Sequence, residues 1–234
     1  MSSLLNRAPD THASTPRRRG RPPALSLDAR RRLILEAAEE VFFASGYGAA
    51  SMEEIARVAG MSKKTVYGLY PDKRQMFGAL ITDGSAFLES DAVTTDEPDE
   101  IVADLRRRLL KLAEYALLPR QIEITRLVIS EARHWPELAD EFHARGMTRG
   151  LSYISECLAR LKVAKPDAAI ANVTQTATAL CGAVIGDFHL RALFEKKRPL
   201  RRGKLVAQVD LAIRIVLPRV ADAAPGGGRH KRPA

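Results

Sequence analysis

The stretch that most restricts how this chain can fold is Ser51 to Pro71, SMEEIARVAGMSKKTVYGLYP. Met52, Ile55, Ala56 and Ala59 recur at helical spacing with Glu53 and Glu54 on the other side, which predicts a short amphipathic helix. Ser51 is placed to cap it, Glu54 to complete a capping box, and Gly60 to end it. Ser62 then caps a second short helix that opens with Lys63, Lys64 and Thr65. Helices of one or two turns do not persist alone in water, so Met61, Val66 and Leu69 must pack on something. That packing leaves Lys63, Lys64, Thr65 and Tyr67 outside. Two short helices, a tight turn and an exposed cationic first turn are the layout of a helix-turn-helix, whose second helix offers its N-terminal residues to the major groove.

The rest of the chain is large enough to hold such a unit. Its 234 residues are 46% hydrophobic and 28% charged, the profile of a folded protein with a substantial core. A net charge of +9 suits a polyanionic partner without identifying one. Two cysteines, Cys157 and Cys181, exclude a disulfide framework and fit a reducing cytoplasm. The N-terminus lacks the apolar core of a signal peptide. Residues 168–186 carry no charge and match a bilayer span in length. Asn172, Thr174, Gln175, Thr176 and Thr178 interrupt that run, so it reads as a buried helix rather than a membrane span.

In chain order, residues 1–26 form a basic arm expected to be disordered. Its Arg17-Arg18-Arg19-Gly20-Arg21-Pro22-Pro23 run stays extended, because Gly and Pro break helices. The Arg-Gly-Arg-Pro core resembles an AT-hook, which would lay Arg19 and Arg21 along the narrow minor groove of A·T-rich DNA. A solvated basic tail is the plainer reading. Residues 27–72 then read as the helix-turn-helix domain, with a first long helix over 27–45 ended by Gly46. A helix over 72–91 leads into a larger helical region, 73–221. There the pattern predicts helices near 98–118, 120–134, 136–161, 167–195 and 204–217. Residues 222–234 read as a disordered tail. The fold class is all-α.

The segment FFASGYGAASMEEIARVAGMSKKTVYGLYPDKRQMFGAL resembles the DNA-binding domain of the TetR family of transcriptional regulators. Phe43, Gly46-Tyr47, Ser51, Ile55-Ala56, Ala59-Gly60, Ser62, Thr65, Tyr67, Lys73 and Phe77 stand in the family's order and spacing. Lys64 stands where a small residue is common, and Gly68-Leu69 replace a larger pair. The stretch RLVISEARHWPELADEFHARG resembles, more loosely, the C-terminal domain of an AefR-like subgroup. The resemblance implies a helical homodimer that binds double-stranded DNA and a small-molecule effector, with no cofactor and no metal. It further implies that Tyr67, Lys73 and Ser51 hold phosphates while Lys63, Lys64 and Thr65 reach the groove. A repressor released from a pseudo-palindromic operator follows; a less specific A·T-rich DNA organiser without an effector is the alternative.

Two further sets of residues follow from the pattern. Tyr115, Trp135, Phe142, Tyr153 and Phe188, with Arg133 and His134, are candidates for a mainly apolar effector pocket, although each also reads as ordinary core or surface. Ala179, Gly182, Ala183 and Gly186, with Leu205, Val209 and Ile213, are candidates for the dimer interface, since small residues let helices approach closely. No catalytic constellation stands out: the chain carries no HExxH, GxSxG, phosphate-loop or dinucleotide fingerprint, so a regulator rather than an enzyme is expected.

Overall fold

The computed structural model describes residues 25–89, 95–194 and 201–221; Arg19, Arg21 and the 222–234 tail lie outside them. Every regular element among the described residues is helical. The first is α1 (Leu27–Ala49), in which Gly46 adopts φ 80 and ψ 163, so the regular helix ends at Ser45. Next come α2 (Met52–Val58), α3 (Lys63–Leu69) and α4 (Lys73–Gly84), then a short 3-10 turn over Ala86–Glu89. The body is built from α5 (Pro98–Ala116), α6 (Pro119–Glu131), α7 (Pro136–Phe142), α8 (Thr148–Ala164), α9 (Val173–Phe194), α10 (Arg202–Val216) and α11 (Pro218–Ala221).

Local chemistry accounts for the short elements. Ser26, Ser51, Ser62 and Asp72 each cap a helix by accepting a backbone N–H three residues on. At the end of α2, Gly60 takes φ 63, Gly60 N–H donates to Arg57 O, and Met61 N–H to Ala56 O at 2.9 Å. This is the Schellman arrangement, and it sets the angle between α2 and α3. Four of the body helices start on proline, whose missing N–H costs nothing there.

The expected 72–91 helix is shorter than the pattern suggested: it breaks at Ser85, whose hydroxyl donates back to Ile81 O and Thr82 O. It still joins the two halves, with Met76 and Phe77 in one core and Leu88 in the other. Pro136 does open a helical rod reaching Ala164, with a π-helical turn over His143–Met147 between α7 and α8.

The core falls into two clusters that do not follow chain order. One gathers α1–α4 around Phe42, Tyr47 and Phe77, whose rings lie 5.4–6.1 Å apart, and takes in Ile124, Leu127 and Val128 of α6 with Leu138 of α7. The other joins α5, α8, α9 and α10. Within it, fully buried Asp104 pairs with Arg107, Arg108 and Arg160, and Arg108 stacks 4.5 Å over the Tyr153 ring. Cys157 faces the same carboxylate, and burial pushes its thiol up to about 12. A thiol held protonated is inert, as expected of structural cysteine.

Helix α9 departs from expectation. It is long and apolar enough to cross a membrane by length and composition, yet in this fold it is not a buried helix. Only Ala177, Leu180 and Val184 are buried, on the side that packs into the body.

Candidate nucleic-acid interface

The first helix of the motif, α2, packs through Met52, Ile55 and Ala56, and α3 through Val66. With those sides inward, Lys63, Lys64, Tyr67 and Gly68 are exposed. The face expected from the pattern is therefore assembled, and its electrostatics are specific. Glu53 on α2 reaches across to α3: its Oε1 lies 3.3 Å from Lys63 Nζ and accepts from Tyr67 Oη at 3.4 Å. Its own backbone amide and Lys63 hold the Glu53 carboxyl below the usual range. Lys64 has no partner among the described residues and stands free.

Two hydroxyls are engaged locally. Ser51 Oγ accepts Glu54 N–H at 3.1 Å, and the Thr65 hydroxyl bonds to Ser62 Oγ at 2.9 Å. Each keeps a lone pair or proton for an outside partner. At Gly68 a Cβ would meet nothing within 4 Å, so packing inside the chain gives no reason for a mid-helix glycine that costs about 1 kcal/mol relative to alanine.

Lys73 differs from the phosphate-binding role expected for it. Its ammonium donates to Tyr47 O, Gly48 O and Ala50 O at 2.7, 3.0 and 3.2 Å, and sits 4.7 and 4.8 Å from the Tyr47 and Trp135 ring centroids. All three N–H donors are used, leaving none for a phosphate. Lys73 instead ties the start of α4 to the turn that precedes α2. Burial lowers its pKa despite Glu131 and Glu137, and burial likewise pushes the Tyr47 phenol up to about 12. Sequence reasoning missed this role because its acceptors are backbone carbonyls, which no side-chain pattern reports.

The proposed effector lining is not brought together. Trp135 packs on Tyr47 at 5.9 Å beneath the DNA-binding half α1–α4, the reader, with its Nε1 so close to Gly48 that a Cβ there would come within 2.7 Å. Phe142 packs on the same cluster, whereas Tyr153 and Phe188 belong to the core of the body. Arg133 and His134 are exposed at the corner between α6 and α7. Of the seven, only Tyr115 lines a cleft that the described residues form between α1, α4, α5 and α6, with a volume of about 600 Å³. Nor is that cleft apolar with few polar groups. Leu35, Leu80 and Leu118 share it with Glu39, Asp83 and Arg120, among other charges.

The dimer candidates divide. Ala179, Gly182, Ala183 and Gly186 lie exposed on α9, but Leu205, Val209 and Ile213 are buried inside the chain, at 0, 1 and 6% exposure. The stripe on α10 faces the core of its own subunit and cannot reach a second copy. Exposed Leu211 and Ile215 occupy the outer side of that helix.

Residues 34–80 match the family described as bacterial regulatory proteins, tetR family. Residues 103–219 match the C-terminal domain of AefR-like transcriptional repressors and cover half of the chain. The chain belongs to the TetR family. It is 40% identical over 84 residues to the HTH-type transcriptional activator FasR of Mycolicibacterium smegmatis, which is 35% of this chain and 37% of FasR. It is 38% identical over 58 residues to the HTH-type regulator YhgD of Bacillus subtilis, 25% of this chain and 30% of YhgD. The chain thus matches about a third of the length of these curated relatives. The fold is also that of a TetR transcriptional regulator from Agrobacterium tumefaciens, with a TM-score of 0.67 over 86% of this chain and all of that one at 18% identity.

Proposed function

We infer that this TetR-family chain is a cytoplasmic, sequence-specific DNA-binding repressor that acts as a homodimer on a pseudo-palindromic operator and is released by a small ligand. The observation that carries DNA binding is the outer face of α3, where Lys63, free Lys64, Thr65 and Tyr67 surround an unpacked Gly68. A glycine with no neighbour lets the helix backbone approach a surface outside the chain, and the cations around it specify that surface as anionic. Lys63 and Lys64, near the helix start, suit phosphates or the O6/N7 edge of guanine; Ser51 and Tyr67 suit phosphates.

Dimerisation is supported by α9. A Cβ at Gly182 or Gly186 would meet nothing within 4 Å, and Ala179 and Ala183 are exposed beside them. Their small size therefore serves a contact beyond this subunit, in an isologous pairing of two α9 helices flanked by Leu211 and Ile215. A two-fold dimer would set half-sites one helical turn, about 34 Å, or a multiple apart. The match to AefR-like repressors favours repression. The FasR match favours activation as the second reading.

Selection of bound fragments from a random DNA pool at about 150 mM salt tests the reading, since non-specific phosphate binding weakens steeply with salt. An inverted repeat of fixed spacing supports an operator-binding dimer. Featureless A·T-rich enrichment favours a DNA organiser and removes the operator. The arm is tested on selected sites: if Arg19 and Arg21 read the minor groove, changing both to alanine weakens A·T-flanked sites more than G·C-flanked ones.

A further inference from the structure

The cleft between the reader and the body has unmatched chemistry. Leu35, Leu80, Leu118 and Tyr115 make its apolar surface, and its volume of about 600 Å³ suits a small organic molecule. Most of its charges are already matched. Glu39 accepts from Arg120 at 2.7 Å, Glu36 lies 3.7 Å from Arg32, and Glu114 accepts from Arg202 at 2.7 Å. Asp83, exposed near the end of α4, has no partner among the described residues. Gln121 also lines the cleft; it is 7% exposed and its Nε2 has no acceptor among the described residues. An unmatched carboxylate at the rim and an unmatched buried donor specify a guest with a positive charge and a hydrogen-bond acceptor on an apolar frame.

We propose that this cleft is a binding site for a small amphipathic organic cation, held through Asp83 and Gln121, and that its occupancy controls the reader. The control rests on the ligand-responsive reading given above; the site itself does not. Part of the lining belongs to α1, inside the DNA-binding half, and the Glu39–Arg120 pair in that lining straps α1 to α6. Gly84 shows how closely that strap is seated: a Cβ there would stand 2.6 Å from Arg120 Nη1 and 3.1 Å from the Tyr115 hydroxyl. A guest between α1 and α6 displaces the strap and lets α1, with α2 packed on it and α3 on α2, shift against the body. An anion of the same shape is repelled by Asp83 where the cation is attracted.

Two probes sharing one frame, with a ring ether oxygen as the acceptor for Gln121, test this: 4-(4-methoxyphenyl)butyltrimethylammonium and 4-(4-methoxyphenyl)butylsulfonate, titrated by calorimetry into the full-length protein without DNA. The expected result is saturable binding of the cation with a dissociation constant below about 1 mM. The sulfonate binds at least about tenfold more weakly, and Asp83→Asn weakens the cation by about tenfold. Leu118→Trp, which fills the cleft from an exposed position, abolishes cation binding. No cation binding, equal binding of both probes, or an Asp83→Asn variant indistinguishable from the parent overturns the site. The random-pool selection on the same preparation separates the readings: an operator without cation binding sinks the cleft alone. Cation binding without an operator leaves the site and sinks the regulatory role. With both in hand, the cation should lower operator affinity in the parent and not in Asp83→Asn; an affinity unmoved in the parent overturns the control.

Discussion

Helices α3 and α9 both leave one side without a partner among the described residues, and the two sides differ in every respect that matters for recognition. The exposed side of α3 carries two lysines, a tyrosine hydroxyl and a single glycine, on a helix of 7 residues. The exposed side of α9 carries Ala179, Gly182, Ala183 and Gly186, on a helix of 22. Each holds glycines at which a Cβ would meet nothing within 4 Å among the described residues, which is what the proposed close approach from outside would use. Charge then separates the occupants. Cations around Gly68 fit phosphate, whereas the uncharged stripe of α9 fits another apolar helix, which loses water as the two meet. Glycines at the junction behave oppositely: at Gly48 and Gly78 a Cβ would meet Trp135 Nε1 or Glu141 Oε2 at 2.7 and 2.6 Å, so those serve packing within the chain.

The greatest loss is expected on the apolar side. Ala183→Arg puts an unpaired guanidinium on the α9 stripe and should convert dimer to monomer by light scattering. With the proposed dimer binding two half-sites together, operator affinity should fall by at least about a hundredfold, with helicity unchanged. A variant that stays dimeric would remove α9 from the interface.

On the polar side, Lys64→Ala should cost each half-site about 1 kcal/mol, so that a dimer loses about thirtyfold in operator affinity. If Lys64 holds a phosphate, the salt dependence also flattens, by about 0.9 for each phosphate no longer neutralised. A flattened slope with unchanged sequence preference makes Lys64 a phosphate contact; an altered preference at one base pair makes it a reader.

Much of this contrast was legible in the residues. The caps at Ser51 and Ser62, the stop at Gly60 and the apolar spacing of α2 and α3 are local signals, and each appears in the fold as expected. The side of α9 facing outward was legible for its small residues but not for α10, because periodicity finds an apolar stripe without saying whether its own subunit or a second one covers it. Leu205, Val209 and Ile213 fell to that ambiguity. The effector lining failed for a related reason: Trp135, Tyr153 and Phe188 are large and apolar, and only long-range packing decides which cluster each joins. The cleft itself depends on α1 meeting α6, through Glu39 and Arg120 that stand 81 residues apart, and no local pattern encodes that meeting.

Lys73 probes the same contrast from the inside, because it touches neither exposed side. Lys73→Met removes three charge-assisted bonds to carbonyls and the stacking on two rings, and should cost about 1–3 kcal/mol of stability in a thermal melt. Operator affinity should fall severalfold as the turn before α2 loosens, with the salt slope unchanged. A slope reduced as in Lys64→Ala would return Lys73 to the phosphate contacts.

The smallest change, and the one of opposite sign, belongs to Glu53. In the free protein its carboxylate holds Lys63 and Tyr67, two of the groups proposed to face DNA, and its own charge repels phosphate. Glu53→Gln releases both, so operator affinity should rise by about two- to threefold at low salt and less at high salt, where screening removes the repulsion. The folded-state pKa of Glu53 lies below its ordinary value, so these bonds are present above the ordinary carboxylate range and are lost only as pH falls through the lowered value. The gain should therefore be constant from about pH 6 to 8. Weaker binding instead would mean that Glu53 positions Lys63 and Tyr67 for the groove, and that the exposed side of α3 is pre-ordered rather than restrained.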